Sequence, residues 1–176
     1  TAGIEVLDLP RPSPATGEVL VEVAAVAPAF PDLLLSQGAY HVQPDLPFAV
    51  GSDFAGIVVE AAAGSPVDVG ARVAGCVSHG GAAEVVAVPW DRVYPLPTDL
   101  GFEEAAALPM NYLTAYYALV QRAGVHAGES VLVTGATGGV GIATIQVARG
   151  LGCHVVALVS SEARRAAAEQ AGAHAV

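Results

Sequence analysis

The sequence contains no lysine, and all seven of its basic residues are arginines. Because it also has seventeen aspartates and glutamates, its formal net charge is −10 at pH 7. Arg164 and Arg165 are the only adjacent pair of cations. Nucleic acids are bound through clusters of lysine and arginine, so this charge pattern argues against nucleic acid as a partner.

Cysteine and long apolar runs are also scarce. Cys76 and Cys153 lie far apart and lack C-x-x-C spacing, which argues against a structural disulfide and against a cysteine zinc cluster. No apolar run reaches the roughly 18 residues of a membrane span, and the first residues lack the basic-then-apolar pattern of a signal peptide. We therefore expect a cytoplasmic protein without a membrane partner.

A glycine-rich turn lies between a predicted strand and a predicted helix. Residues 131–134 favour a buried strand, apolar residues recur at helical spacing from Ile142, and a second apolar run at 154–159 predicts the neighbouring parallel strand. In such a unit, backbone N–H groups approach a pyrophosphate at the positive end of the helix. The candidate cofactor-binding residues of this turn are Gly135, Gly138, Gly139, Val140 and Gly141.

The spacing of these glycines departs from G-x-G-x-x-G, because Ala136 stands where the first glycine would align. A lone glycine motif is a weak signal, and the strand, turn, helix and strand around it strengthen this one. The alternative is a glycine-rich turn that binds nothing.

The choice between NAD and NADP depends on the residues that follow the second strand. An NAD site has an acid there for the ribose 2′-hydroxyl, whereas an NADP site has a basic residue for the 2′-phosphate. Ser160, Ser161 and Arg164 suit a phosphate, and they favour NADP(H). Glu162 argues for NAD, but an acid in the first turn of a helix over 162–170 also matches the helix dipole.

The residues before about 108 predict a β-rich domain. Strands are expected at 17–26 and 51–60, and around 71–75 and 82–88, with glycine and proline between them. Short strands separated by glycine and proline are typical of a small barrel or sandwich. A glycine inside the strand at 51–60 predicts a bulge or a close approach of two backbones.

Helices are expected at 32–37, 102–108 and 112–123. The first is stopped by Gly38, and Pro109-Met110-Asn111 is expected to separate the other two, with Asn111 a possible N-cap. Residues 171–176 fall where a third parallel strand should begin. A doubly wound sheet needs several more strands, so we expect this sequence to be part of a longer protein.

The order and spacing of these motifs resemble the zinc-independent quinone oxidoreductases and enoyl reductases of the medium-chain dehydrogenase/reductase superfamily. The resemblance runs from about Gly17 to Val176. Besides the glycine turn and Ser160-Ser161, the matching stretches are Gly17-Glu18-Val19-Leu20-Val21, Phe30-Pro31-Asp32, Gln37-Gly38-Ala39-Tyr40, Asp53-Phe54-Ala55-Gly56-Ile57-Val58, Gly70-Ala71-Arg72-Val73, Glu103-Glu104-Ala105-Ala106-Ala107-Leu108-Pro109 and Leu113-Thr114-Ala115-Tyr116.

The resemblance implies an α/β protein with a β-rich part: a GroES-like β-barrel catalytic domain over 1–108, followed by a truncated Rossmann domain for NADP(H) over 109–176. It implies a homodimer and a small-molecule quinone or enone substrate. Tyr40, in the Gln-Gly-x-Tyr turn, is implied to donate a hydrogen bond and a proton to the substrate. The alternative is that Tyr40 is a structural residue whose ring packs on the barrel. Phe30, Asn111 and Thr114 are the implied contacts to the cofactor. Tyr112 and the neighbouring tyrosines are expected to be mostly core residues.

This chain departs from the zinc-containing members of the superfamily at their metal-binding positions. Those positions read Ala29-Phe30-Pro31-Asp32 and Gly51-Ser52-Asp53, without the cysteine and the histidine of the zinc enzymes. A catalytic zinc takes three protein ligands from Cys, His and Asp or Glu, and the five histidines stand singly. We therefore expect no metal. Ala29 also replaces an asparagine that is common in the zinc-free group.

Reduction of a conjugated double bond fits a site without a metal. Hydride addition to the β-carbon spreads the developing charge into an enolate, which one or two hydrogen-bond donors can stabilise. Three readings remain: an NADPH-dependent quinone or enone reductase, a reductase of enoyl thioesters on coenzyme A or a carrier, and a cofactor-binding scaffold without turnover.

Overall fold

The computed structural model describes residues 4–176. They group into two compact units, of which the first ends at Met110 and the second begins at Asn111. The predicted domain limits, 1–108 and 109–176, stay predictions. No helix within the described part of the chain is long and apolar enough to cross a membrane.

The first unit is built on a five-stranded antiparallel sheet. The strands are β1 (Glu18–Ala27), β2 (Asp53–Ala61), β3 (Arg72–Cys76), β4 (Val85–Pro89) and β5 (Val93–Pro95). They lie in the order β4-β1-β2-β3-β5. The helices of this unit are α1 (Phe30–Ser36) and α2 (Phe102–Ala106), and a short 3-10 turn covers Trp90–Arg92.

The main core cluster of this unit includes Val19, Val21, Phe54 and Val73, all of them fully buried. Ala55 and Ala74, which follow Phe54 and Val73 in their strands, belong to a second small buried cluster. Full burial of a valine or phenylalanine side chain stabilises the fold by roughly 1.5–3 kcal/mol. The predicted strands are confirmed, and the three-residue β5 was missed.

The glycine inside β2 marks a close approach of two backbones, as its position in the strand predicted. A Cβ on Gly56 would lie 2.0 Å from the carbonyl oxygen of Glu22 in β1. The pairing of β1 with β2 is shifted between Val23 and Ala25, beside this contact. The prediction of a bulge or close approach is therefore confirmed.

Helix α1 begins at Phe30, two residues before the expected start. The carboxylate of Asp32 accepts a hydrogen bond from the N–H of Ala29 at 2.7 Å, which satisfies one of the donors that a helix start leaves unpaired. Pro31 suits the first turn, where its missing N–H is not needed. The helix ends before Gly38, which has φ +65°.

The expected break at Pro109-Met110-Asn111 is wrong. Helix α3 covers Pro109–Tyr116, and a π-helical segment continues it over Tyr117–Arg122. Proline is tolerated at the first position of a helix, and the N–H of Met110 donates to the carboxylate of Asp53. Asn111 is accordingly inside α3 and is not its N-cap.

The second unit contains the predicted β-α-β arrangement. Strands β6 (Ser130–Thr134) and β7 (His154–Leu158) pair in parallel, and α4 (Gly139–Gly150) connects them. A parallel bridge between Val156 and Ala175 lies where a third strand was expected to begin. The helix expected at 162–170 consists of a 3-10 turn, Glu162–Arg164, and α5 (Arg165–Ala171).

Candidate functional site

The glycine turn between β6 and α4 is tight enough to exclude larger residues. Gly135 has φ +60°, a conformation that side chains disfavour. A Cβ on Gly141 would lie 2.3 Å from the carbonyl oxygen of Gly135. The N–H of Gly138 donates to that same carbonyl at 3.0 Å. Both Gly135 and Gly141 are therefore required by the turn itself.

This turn presents the start of α4 as an anion site. Helix starts leave their first N–H groups without partners inside the helix and carry the positive end of the helix dipole. Gly138 is the N-cap residue, and no acid lies in the first turn. Gly138, Gly139 and Val140 are exposed, whereas Gly141 is buried. The arrangement fits the pyrophosphate of a dinucleotide.

A cavity of about 290 Å³ adjoins this turn. The guanidinium of Arg164 lies in its lining and donates to the hydroxyl of Thr137 at 3.5 Å. Ser161 is outside the lining. The complete lining is Gly135, Ala136, Thr137, Leu158, Val159, Ser160 and Arg164.

Glu162, the residue that argued for NAD, is engaged elsewhere. Its carboxylate accepts a hydrogen bond from the guanidinium of Arg165 at 2.8 Å, and Arg165 also lies 3.7 Å from Glu169. Neither Glu162 nor Arg165 lines the cavity. The cation that remains beside the glycine turn is Arg164, which suits a 2′-phosphate better than a free ribose hydroxyl.

Asn111 packs against the beginning of α4. A Cβ on Gly139 would lie 2.8 Å from its side-chain oxygen, so this glycine leaves room for the amide. The hydroxyl of Tyr112 donates to the side-chain oxygen of Gln146 in α4. Thr114 is exposed and is outside the lining of the cavity.

A second cavity, of about 240 Å³, lies in the first unit, and we call it the Tyr40 cavity. Tyr40 is half-buried, and its ring centroid lies 4.2 Å from that of His41. Its hydroxyl has no hydrogen-bond partner among residues 4–176. Phe30 is 70% exposed and lies outside the lining. The lining is Pro31, Tyr40, His41, Val42, Ser52, Cys76, Val77, Ser78, Arg92 and Met110.

Two buried carboxylates support the wall of the Tyr40 cavity. One oxygen of Asp32 accepts hydrogen bonds from the N–H of Gly51 at 3.1 Å and the hydroxyl of Ser52 at 2.8 Å, and the other oxygen accepts the bond from Ala29. Asp32 is 7% exposed. These three donors satisfy its charge and hold Ser52 in place.

Asp53 is the second carboxylate, and it is 1% exposed. Burial raises its pKa from 3.8 to about 6, although hydrogen bonds from the thiol of Cys76 and the N–H of Met110 oppose the rise. Burial also raises the pKa of the Cys76 thiol to about 12, and the charge of Asp53 adds to this rise. Cys76 is therefore a neutral thiol at pH 7.

Sequence reasoning did not identify Asp53 and Cys76 as parts of one cluster. The antiparallel register of β2 and β3 places them opposite each other, and no spacing in the sequence signals this. Within residues 4–176, no group of three His, Cys, Asp or Glu side chains is placed to hold a metal ion. The metal-free reading stays a prediction.

Comparison with known proteins shows where the chain belongs. Residues 15–98 match the family model of the alcohol dehydrogenase GroES-like domain. The chain is 42% identical to the quinone oxidoreductase of Mus musculus over 174 residues, which is 96% of this chain and 52% of that protein. It therefore spans about half the length of the curated relatives it matches.

Solved structures agree with this assignment. The quinone oxidoreductase from Thermus thermophilus, solved alone and with NADPH, has a TM-score of 0.85 and 42% identity, covering 97% of this chain and 54% of that one. The CurK enoyl reductase has a TM-score of 0.85 and 29% identity, covering 96% and 54% of the respective chains. The expected fold class, a GroES-like domain followed by part of a Rossmann domain, is confirmed, and the chain belongs to the medium-chain dehydrogenase/reductase superfamily.

Proposed function

We propose that the protein is an NADPH-dependent oxidoreductase that reduces a quinone or an α,β-unsaturated carbonyl compound without a metal ion. The observation that carries this proposal is the cavity in which Arg164 and Ser160 face the glycine turn. The complex of the similar Thermus enzyme with NADPH supports the same choice of cofactor. We further propose that the protein is cytoplasmic and that it is a homodimer; light scattering on the purified protein would test the dimer.

On the cofactor side, the chain offers donors for two phosphate groups. The N–H groups at the start of α4 would hold the pyrophosphate, and Arg164 with Ser160 would hold the 2′-phosphate. Ser161, Phe30, Asn111 and Thr114 stay predictions as further contacts. When bound, NADPH supplies the hydride.

On the acceptor side, Tyr40 would hydrogen-bond to the carbonyl oxygen. As hydride adds to the β-carbon, the electrons of the double bond move toward that oxygen, and a donor there stabilises the negative charge. A proton then completes the reduction, and the tyrosine hydroxyl or water supplies it. Because the negative charge is delocalised, this reaction needs less stabilisation by a Lewis acid than the reduction of a simple ketone does.

The first experiment is a fluorescence titration of the full-length protein with NADPH and NADH, followed by cofactor oxidation with 1,4-benzoquinone and with crotonyl-CoA. We expect tighter binding of NADPH and turnover of the quinone. Failure to bind either nucleotide would reject the proposal. Binding without turnover of either acceptor would favour the scaffold reading, to which the methyl side chain of Ala29 lends support.

Tyr40→Phe tests the role of the hydroxyl. We expect a fall in kcat of about 100-fold, the lower range for a positioned proton donor, with unchanged affinity for NADPH. Tyr94→Phe is the control, because Tyr94 is 40% exposed in β5 and is outside both cavities. Equal kcat values for the two variants would remove Tyr40 from the mechanism.

Reduction of an enoyl thioester is the second candidate, favoured by the similarity to the CurK enoyl reductase. It predicts a larger kcat/KM for crotonyl-CoA than for 1,4-benzoquinone in the same assay. The reverse order would favour the quinone reading.

A further inference from the structure

The Tyr40 cavity has one arginine in its lining. Arg92 ends the 3-10 turn Trp90–Arg92 and is exposed. Within residues 4–176, its guanidinium makes no hydrogen bond or ion pair. Five of the other arginines do have hydrogen-bond partners in the structure, namely Arg11, Arg72, Arg149, Arg164 and Arg165.

The acids around this cavity do not neutralise Arg92. The carboxylates of Asp32 and Asp53 are buried, and both accept hydrogen bonds from backbone N–H groups. The positive charge of Arg92 is close enough to the thiol of Cys76 to oppose the rise in its pKa. Arg92 is therefore an exposed cation in the lining of a small cavity, and the two buried carboxylates beside that cavity already accept hydrogen bonds.

We propose that Arg92 is a specificity residue, and that it favours acceptors with a carboxylate near the reducible double bond. This inference rests on the proposed function. A guanidinium binds a carboxylate through two parallel hydrogen bonds. In a chain with a net charge of −10, an anionic acceptor would otherwise be repelled.

The cavity has room for a small acceptor. Cavities for small molecules usually measure about 300–1,000 Å³, and this one measures about 240 Å³. A short conjugated keto acid has the required charge, the reducible bond and a small volume. The inference therefore names carboxylate-bearing enones as the substrate class, of which a short keto acid is the simplest.

The test uses a charged and an uncharged acceptor with the same carbon skeleton around the double bond, trans-4-oxopent-2-enoate and its methyl ester; the intrinsic difference in their reactivity cancels when each variant is compared with wild type. NADPH oxidation is followed with the full-length wild type, Arg92→Gln, Arg92→Lys and the control Arg122→Gln. The control removes the same charge from the end of the π-helical segment, and Arg122 lines neither cavity.

We expect Arg92→Gln to lower kcat/KM for the acid at least tenfold more than for the ester, mainly through KM. Arg92→Lys should recover part of this difference, because it restores the charge without the two parallel donors. Arg122→Gln should keep the wild-type ratio. An unchanged ratio in Arg92→Gln, or an equal change in Arg122→Gln, would overturn the inference.

A binding measurement separates this inference from the proposed reaction. The saturated acid 4-oxopentanoate cannot be reduced by conjugate addition, and ligand-observed NMR reports its binding without turnover. Binding that weakens at least tenfold in Arg92→Gln supports the cavity assignment, even if no acceptor is reduced and the proposed function fails. Binding that is equal in wild type and Arg92→Gln contradicts the assignment, even if the neutral ester is turned over.

Discussion

At the scale of single residues, the close approach of Gly135 and Gly141 limits which residues the glycine turn can contain. The carbonyl oxygen of Gly135 lies where a side chain at position 141 would begin. At most positions, glycine destabilises the folded state because it loses more conformational entropy on folding than other residues. At position 141, however, no other residue fits without moving the backbone.

Gly141→Ala should therefore destabilise the second unit and weaken cofactor binding. We expect a loss of roughly 1–3 kcal/mol in the free energy of unfolding, the usual cost of overpacking, measured by urea denaturation. Gly150→Ala is the matched control at the end of the same helix, because a Cβ there would meet no atom within 4 Å. A Gly141→Ala variant as stable as Gly150→Ala would contradict this view of the turn.

Arg164 and Arg165 are neighbours with different surroundings. Arg164 lines the cavity beside the turn, whereas Arg165 is paired with Glu162 and Glu169. Arg164→Gln should weaken NADPH binding about tenfold or more, the range for a charge-assisted hydrogen bond, and reduce the preference over NADH.

Arg165→Gln is the control for that measurement. Titration of nucleotide fluorescence with each variant gives the ratio of the two dissociation constants. If Arg165→Gln reduces the preference for NADPH and Arg164→Gln does not, the assignment of the phosphate ligand is wrong.

At the scale of elements, Asp32 connects the start of α1 to the residues that precede β2. Its two oxygens accept hydrogen bonds from Ala29, Gly51 and Ser52. In the sequence, Asp32 was only the expected first residue of a helix and part of the matching stretch Phe30-Pro31-Asp32. The contacts with Gly51 and Ser52 depend on the way the chain folds back after α1.

Asp32→Ala should cost roughly 3 kcal/mol in the free energy of unfolding, because it leaves buried donors without acceptors. Ser36→Ala is the control within the same helix: its hydroxyl donates to the carbonyl of Leu33 at an exposed site. Chemical denaturation of both variants gives the comparison. Equal losses would show that the buried network of Asp32 contributes little.

Element boundaries were predicted well where the signal is local. The strands β1, β6 and β7 and the helix α4 follow from apolar periodicity and flanking glycines. The start of α3 was wrong because Pro109 reads as a helix breaker, although it is equally suited to a first turn. The acceptor that completes this start, Asp53, is 57 residues away in sequence.

At the scale of the whole molecule, Asp53 makes stability depend on pH. Its pKa is raised from 3.8 to about 6, mainly by burial. A raised pKa means that the folded state binds the proton more tightly than the unfolded state. The stabilisation from this proton is complete below about pH 4 and is lost as the pH rises through 6.

Asp53→Asn removes that dependence while keeping an oxygen for the N–H of Met110. We expect the difference in unfolding free energy, wild type minus variant, to fall between about pH 4 and about pH 7, as measured by urea denaturation at each pH. Asp45→Asn, at an exposed loop position, is the control. If the difference in unfolding free energy between wild type and Asp53→Asn does not change over this pH range, Asp53 does not have the raised pKa.

The sequence by itself determined a β-rich part, a β-α-β unit and the glycine turn, because these depend on local patterns: alternation in strands, helical spacing, and glycines between a strand and a helix. The GroES-like and Rossmann assignments came from the resemblance to a known family. Tertiary structure alone decided that Cys76 and Arg92 line one cavity with Tyr40, and that Asp53 is buried beside Cys76 and Met110. The sequence had already favoured Arg164 as the phosphate ligand, and the structure adds that Arg164 lines the cavity beside the glycine turn, whereas Arg165 is paired with Glu162 and Glu169. Burial and the pairing of charges depend on residues far apart in the chain, and no local pattern contains that information.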